Sequence, residues 1–328
     1  MTDTNPIPVT ILTGFLGAGK TTLLNRILRE PHGQRIAVIE NEFGETGIDN
    51  ELLFQEGEQI VEMNNGCICC TVRGDLLRIL GDLADRRDAG DIRFDRVVIE
   101  TTGLADPAPV AQTFFVEENI RDDYRLDAIL TVVDAKHAPT QLDEHHEAQE
   151  QVGFADRILL SKTDLVDADA LVDLEARLRA MNPRAPIQPV HFGETPLRDI
   201  LDIHGFDLDA ILGIEPDFLN DLSHEHDDEV HSFVYRSGRP FDAAKLISLM
   251  NLLIGEFGAD LLRYKGILHI AGTPNKIVFQ GVHMLLGESQ GAPWREDEPR
   301  ESVLVFIGRN LPREQIIATL KTCHADAR

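Results

Sequence analysis

The stretch "IPVTILTGFLGAGKTTLLNRILRE", residues 7–30, limits the possible folds of this chain more than any other. An apolar, β-branched run ends in a glycine-rich loop. The loop opens into an amphipathic helix with Leu23, Leu24, Ile27 and Leu28 on one face. Within it, "GFLGAGKT" satisfies G-x-x-x-x-G-K-[ST] in the strand-to-helix setting that a phosphate-binding loop needs. Glycines let the backbone close around phosphate oxygens, and loop N–H groups and the helix N-terminus supply fixed positive charge. Gly14, Gly17, Ala18, Gly19, Lys20, Thr21 and Thr22 are therefore the expected phosphate contacts. Lys20 would reach the β- and γ-phosphates, and the Thr21 hydroxyl would ligate Mg2+.

The same alternation continues. "RIAVIEN" (35–41), "FDRVVIET" (94–101), "LDAILTVVD" (126–134) and "ADRILLSK" (155–162) read as buried strands, and "PIQPVHFGE" (186–194) as the last strand with its loop. Residues 72–88 and 168–181 read as helices between them. Continuous apolar strands joined by helical crossovers predict an α/β, P-loop NTPase domain with a mostly parallel sheet, its functional loops at the carboxyl ends of the strands. Glu100, ending "VVIE", is placed to complete the magnesium site. Gly103 behind it would let the backbone approach the γ-phosphate. In "SKTD", the Asp164 carboxylate can accept two N–H donors from guanine, a pair adenine does not offer. The Lys162 stem would lie over the base, and Ser161 stands where GTPases commonly carry Asn.

After about residue 205 the pattern changes. Residues 1–213 are assigned to the nucleotide domain and 214–231 to an acidic, His-rich linker. Residues 232–328 form a small α+β domain with helices at 242–257 and 312–321 and strands around "HSFVYRSG", "LLRYKGILHIAG", "NKIVFQGVHML" and "SVLVFIG". In the linker region, His224, His226 and His231, with Asp227, Asp228 and Glu229, are metal donors or simply a solvated tract. His191 is read as a packing residue and "LDEHHEAQEQ" (142–151) as a solvated helix face.

A formal charge of −25, with no basic run, argues against nucleic acid. No apolar run is long enough for a membrane span, and no secretory signal is evident, so a cytoplasmic location is expected. In that reducing compartment "NNGCICC" (64–70) is more consistent with metal or redox chemistry than with a disulfide. It holds three of the four cysteines.

Taken in order, "LTGFLGAGKTTLLN", "IENEFGE", "NNGCICC", "VVIETTGLADP", "SKTD" and, further on, "LLRYKGIL" and "FQGV" resemble the CobW-domain P-loop GTPases, whose bacterial members include proposed zinc metallochaperones. The resemblance covers nearly the whole chain. It implies GTP hydrolysis to GDP and phosphate, a small C-terminal CobW domain, and Glu40, Asn41, Glu42 and Gly44 as the first switch. It makes Cys67, Cys69 and Cys70 the metal motif, and Glu100–Gly103 the Walker B acid and second switch. Three thiolates suit Zn2+ and leave one position open, which Glu40 or Glu42 can fill from the switch. Cobalt or iron remains an alternative cargo.

The implied partner is a metal-dependent client protein, with metal- or nucleotide-dependent homo-oligomers left open. Two other readings also stay open: a GTP-dependent switch that only senses metal or redox state, and an ATP-dependent kinase of a small metabolite. Slow intrinsic hydrolysis is expected, since no arginine finger or catalytic Gln stands out in the sequence. No role is assigned to Cys323.

Overall fold

The structure, a computed structural model, describes residues 6–30, 33–40, 60–62, 71–203, 205, 229–295 and 297–325. The chain divides into two compact units. One holds residues 1–151, 155–174 and 185–204, and the other holds 152–154, 175–184 and 205–328.

The first unit is built on seven strands, β1 (Ile7–Thr13), β2 (Ile36–Glu40), β3 (Ile60–Glu62), β4 (Arg96–Glu100), β5 (Tyr124–Asp134), β6 (Arg157–Ser161) and β7 (Ile187–Val190). Their order is β3-β2-β4-β1-β5-β6-β7, and every pairing is parallel. The expectation of a parallel α/β sheet holds. β3 was not foreseen, since three residues are too few to show a period. Helices α1 (Lys20–Arg29), α2 (Thr71–Asp88), α3 (Ala108–Val116), α4 (Glu118–Asp123), α5 (Ala138–Glu144), α6 (His146–Phe154) and α7 (Ala168–Met181) connect the strands. Leu23, Leu24 and Ile27 of α1 pack on Leu12, Val38, Val98, Leu130 and Leu159 of the sheet, with Leu28 partly buried beside them.

Because β1 is central, the chain turns one way to reach β2 and the other to reach β5. The resulting crevice opens at the carboxyl ends, where α/β sheets bind ligands. At the opposite end, Arg96 is fully buried at the start of β4. Its guanidinium donates to Asp127 (2.9 Å), Thr10 (3.1 Å) and Asp202, so this buried cation is paired.

The second unit is a five-stranded antiparallel sheet of order β11-β10-β9-β12-β8, from β8 (Val230–Ser237), β9 (Arg263–Leu268), β10 (Asn275–Val282), β11 (Leu285–Pro293) and β12 (Ser302–Arg309). Helices α8 (Ala243–Phe257) and α9 (Arg313–Thr322) bury Leu246, Met250, Ile316 and Leu320 with Phe233, Tyr264, Phe279 and Phe306 of the sheet. Asp242 caps α8 by accepting from the Lys245 N–H. The α+β expectation holds here too, with one additional strand. The sequence of β11, "LLGESQGAP", is polar and glycine-rich and is recruited by pairing with β10. His231 lies in β8 opposite Gly308, so it belongs to a strand and not to the linker.

Candidate nucleotide site

Five candidate segments converge on the carboxyl edge of the parallel sheet, and strand register sets their level. Glu40 of β2 pairs with Glu100 of β4 on one side and Glu62 of β3 on the other. Asp134 of β5 pairs with Ser161 of β6, which pairs with Val190 of β7.

The phosphate loop leaves β1 at Gly14, whose φ of 140° and contact with the Val132 carbonyl leave no room for a Cβ. Gly17 and Gly19 also have positive φ (73° and 103°), Ala18 is fully buried, and Thr21 and Thr22 are exposed at the start of α1. The buried Lys20 ammonium donates to the carbonyls of Gly14 (2.8 Å) and Phe15 (3.4 Å). Burial pulls its pKa below the ordinary lysine value, and the Glu100 charge opposes that shift. These two loop carbonyls hold the ammonium where a phosphate oxygen can take it over.

Thr21 Oγ1 donates to Glu100 Oε1 at 3.0 Å, which joins the end of the phosphate loop to the acid ending β4. A hydroxyl and a carboxylate are the hard oxygen donors that Mg2+ prefers, so these residues fit that ion. Beyond Glu100, Gly103 sits so close to the phosphate loop that a Cβ would lie 2.6 Å from the Leu16 nitrogen. Only glycine permits that approach.

On the other side, the Ser161 hydroxyl donates to the Ala18 carbonyl at 2.6 Å. Ser161, in the position where GTPases commonly carry Asn, thus ties the "SKTD" segment to the phosphate loop. Lys162, with φ of 57°, sends its ammonium to the Gly17 carbonyl (2.8 Å) and to Asp134 Oδ2 (2.6 Å). Asp134 was not singled out in the sequence. Its signal was the one that identified Glu100, an acid ending a buried strand. Burial alone would raise its pKa, but the Lys162 and His137 hydrogen bonds outweigh burial and hold the carboxyl below its ordinary value.

Asp164 is half-exposed in a 3-10 turn over Thr163–Leu165, and its Oδ1 lies 3.7 Å from His191 Nδ1. His191 is therefore largely exposed beside Asp164, not packed in the core as expected. Phe192 follows with φ of 47° and 76% exposure, and Gly193 with φ of 76°. The two left-handed residues form a tight turn closed by the Glu194 N–H on the His191 carbonyl (2.8 Å). Residues 142–151 also depart from a solvated face, since Leu142, Gln149 and Gln151 are buried.

Cys67, Cys69, Cys70, Asn41, Glu42 and Gly44 lie outside the described residues, as do His224, His226, Asp227 and Asp228. Among the described residues, no group of three or more His, Cys, Asp or Glu side chains forms a metal site. Cys323 is buried at the end of α9, where burial raises its thiol pKa. No helix among the described residues is long and apolar enough to cross a membrane.

A parallel sheet with a phosphate loop after its central strand and acids at the neighbouring strand ends defines a P-loop nucleotide-binding protein. More narrowly, residues 8–189 match the family "CobW/HypB/UreG, nucleotide-binding domain" and residues 230–324 match "Cobalamin synthesis protein cobW C-terminal domain". The chain belongs to the CobW/HypB/UreG family. It is 46% identical over 315 residues to the zinc chaperone YjiA of Escherichia coli, covering 96% of this chain and 98% of that one. It is 36% identical to the zinc-regulated GTPase metalloprotein activator 1 of Dictyostelium discoideum, over 83% of this chain and 64% of the relative. The crystal structure of the Zn(II)-bound YjiA GTPase from E. coli superposes with a TM-score of 0.81 at 40% identity, covering 98% of this chain and all of that one.

Proposed function

We propose that this GTPase of the CobW/HypB/UreG family uses its GTP cycle to hold and release Zn2+ for delivery to a metal-dependent client in the cytoplasm. The zinc is cargo. Its donors are Cys67, Cys69 and Cys70, with Glu40 or Glu42 in the fourth position. The domain limits we assign are 1–213 for the GTPase and 214–229 for the linker, with the C-terminal domain starting at Val230, where β8 begins, and not at 232.

One observation carries the coupling. Glu40, from the strand leading into the first switch, is the register partner of Glu100, whose carboxylate already holds Thr21 of the phosphate loop. Neighbouring strands lie about 4.8 Å apart, so charge placed on one acid is felt directly by the other. The residue assigned to zinc and the residue assigned to the nucleotide thus occupy one rung of the sheet.

In this reading Lys20 exchanges its loop carbonyls for β- and γ-phosphate oxygens, and loop N–H groups take the remaining phosphate charge. Thr21 and Glu100 would hold Mg2+, which supplies charge neutralisation on the phosphates. Asp164 accepts two N–H groups of guanine while Lys162 lies along the base. Phe192, exposed and next to His191, offers a ring for the base's other side.

The coupling requires zinc to bind the GTP and GDP states with different affinity. Zinc titrations of reduced protein with GDP and with a non-hydrolysable GTP analogue should differ by at least about fivefold. Glu40→Gln should bring the two values together, and Cys69→Ala should weaken zinc while sparing GTP. Equal zinc affinities in the unsubstituted protein refute the coupling.

A further inference from the structure

Gln151 of α6 is 1% exposed, although it lies in a stretch whose composition suggests a solvated helix. Its side-chain nitrogen donates to two carbonyls of the segment after β4, those of Gly103 and Ala105, each at 3.1 Å. Both partners are acceptors, so only the orientation with the NH2 group facing them makes bonds, and both of its N–H donors are used. The backbone of Gln151 is anchored as well, because its carbonyl accepts from the Thr131 hydroxyl of β5 at 2.7 Å. A helix-borne amide fixed to the sheet therefore grips the Gly103–Ala105 turn.

The rest of that turn is held from the other side. Thr101 bonds β1 through its N–H to the Leu12 carbonyl (2.9 Å) and through its hydroxyl to Thr13 (2.8 Å). The Ala105 N–H returns to the Thr102 carbonyl at 3.1 Å, and Gly103 abuts Leu16 of the phosphate loop. A trans peptide is planar, with its C=O and N–H pointing opposite ways. By taking the carbonyls of Gly103 and Ala105, Gln151 fixes the two peptide planes that follow Gly103 and Ala105, and with them the direction of the Leu104 and Asp106 N–H groups.

We propose that Gln151 is a positioning residue for GTP hydrolysis: it preorganises the Gly103–Ala105 turn so that its backbone donors meet the γ-phosphate at no reorganisation cost. The proposal rests on reading Glu100–Gly103 as the γ-phosphate-sensing element. It predicts an effect specific to the triphosphate state, unlike a packing residue, whose loss would weaken both nucleotides.

The test is Gln151→Met, which keeps the length of the side chain and removes both donors, alongside Gln151→Glu, whose carboxylate repels the two carbonyls. Each should lower kcat about tenfold, the value of one or two lost hydrogen bonds, and weaken a non-hydrolysable GTP analogue. GDP affinity should stay within about twofold of the parent. Unchanged kcat, or GDP affinity falling in step with kcat, overturns the proposal. Should neither variant fold, the Gln151 side-chain amide protons of the unsubstituted protein decide by NMR. Slow exchange with the GTP analogue supports the clamp and fast exchange overturns it. Gly103→Ala separates the two readings. If it is impaired while Gln151→Met is normal, only the clamp fails. If it hydrolyses GTP normally, the γ-phosphate reading fails and the clamp fails with it.

Discussion

The two sheets of this protein bury their strands in different ways, and the difference decides where chemistry is placed. In the parallel sheet β1, β2, β4 and β6 are buried almost throughout, with both faces covered by helices. The acids and hydroxyl we assign to the site lie at the strand ends, at Glu40, Glu100, Asp134 and Ser161. In the antiparallel sheet the strands carry polar residues along their length. β8 alternates buried Phe233 and Tyr235 with partly exposed Ser232, Val234 and Arg236. Its core is one hydrophobic cluster in which Phe233, Tyr235, Phe241, Tyr264, Phe279 and Phe306 pack with leucines and isoleucines, and the His324 ring lies against Tyr235 and Phe241. The first sheet therefore concentrates function at an edge, and the second distributes packing over a face.

The sharpest way to break this comparison is to strike each sheet where it should matter most. Lys20→Ala removes the cation of the phosphate loop, and GTP turnover should fall by more than about a thousandfold in a phosphate-release assay while the fold persists. Phe306→Ala should do the reverse. Phe306 is fully buried, with its ring 5.1 Å from that of Phe233, and truncation should cost about 3–5 kcal/mol in denaturant unfolding of the second unit. If Phe306→Ala abolishes turnover while unfolding is unchanged, the division of labour is wrong.

A smaller effect sharpens the picture within the edge itself. Asp164→Asn keeps the shape of the side chain but can no longer accept two N–H donors, and it removes the carboxylate 3.7 Å from His191 Nδ1. GTP affinity should drop about 10- to 150-fold, the value of one charge-assisted hydrogen bond, with ATP affinity little changed. A parallel loss of both nucleotides would assign Asp164 to loop structure instead of base reading.

What could be read in advance follows the same division. Buried parallel strands are long, apolar and β-branched, so β1, β2, β4, β5 and β6 were legible to within two residues, as was the glycine-rich loop between β1 and α1. Segments whose state depends on a neighbour were not. β11 is polar and becomes a strand because β10 offers it a ladder, and β3 is three residues added to the edge of β2. At the carboxyl edge of the sheet, motif spacing singled out Lys20, Thr21, Glu100 and Ser161, which the fold brings together, whereas neighbours supplied only by the tertiary fold left no such signal. Asp134 matters because β5 lies next to β6, which brings it to Lys162. Gln151 reaches the Gly103 and Ala105 carbonyls only because α6 packs beside that turn, and no pattern in "EAQEQV" distinguishes Gln151 from Gln149. His191 was misread because a histidine at a strand end does not reveal which loop it will face.

The finest prediction separates the two units by pH. In the second unit, His269 and His324 are partly enclosed. Burial lowers the pKa of both; at His269 hydrogen bonds to the Gly238 and Arg300 backbone oppose it while the Arg300 charge adds to it, and at His324 the Arg239 charge adds to it. The unfolded chain then binds more protons than the folded one as pH falls below the ordinary histidine value of about 6.5, so stability is lost from there down to the folded pKa values. In the first unit the relevant group is a carboxylate. Asp134 is depressed, so its contribution is complete above the ordinary carboxylate range and disappears only as pH falls through its lower folded value. Mild acidification should therefore loosen the antiparallel unit first. Trp294, the sole tryptophan, reports on it, because its ring lies 5.9 Å from that of His269. Denaturant midpoints followed by its fluorescence should fall between pH 7.5 and 5.5, while amide protection factors, corrected for the intrinsic pH dependence of exchange, stay constant in peptides from β1, β4 and β5 over the same interval. His269→Gln combined with His324→Gln should flatten the fluorescence-detected slope. A slope that survives both substitutions would mean that the acid sensitivity of the second unit has another source.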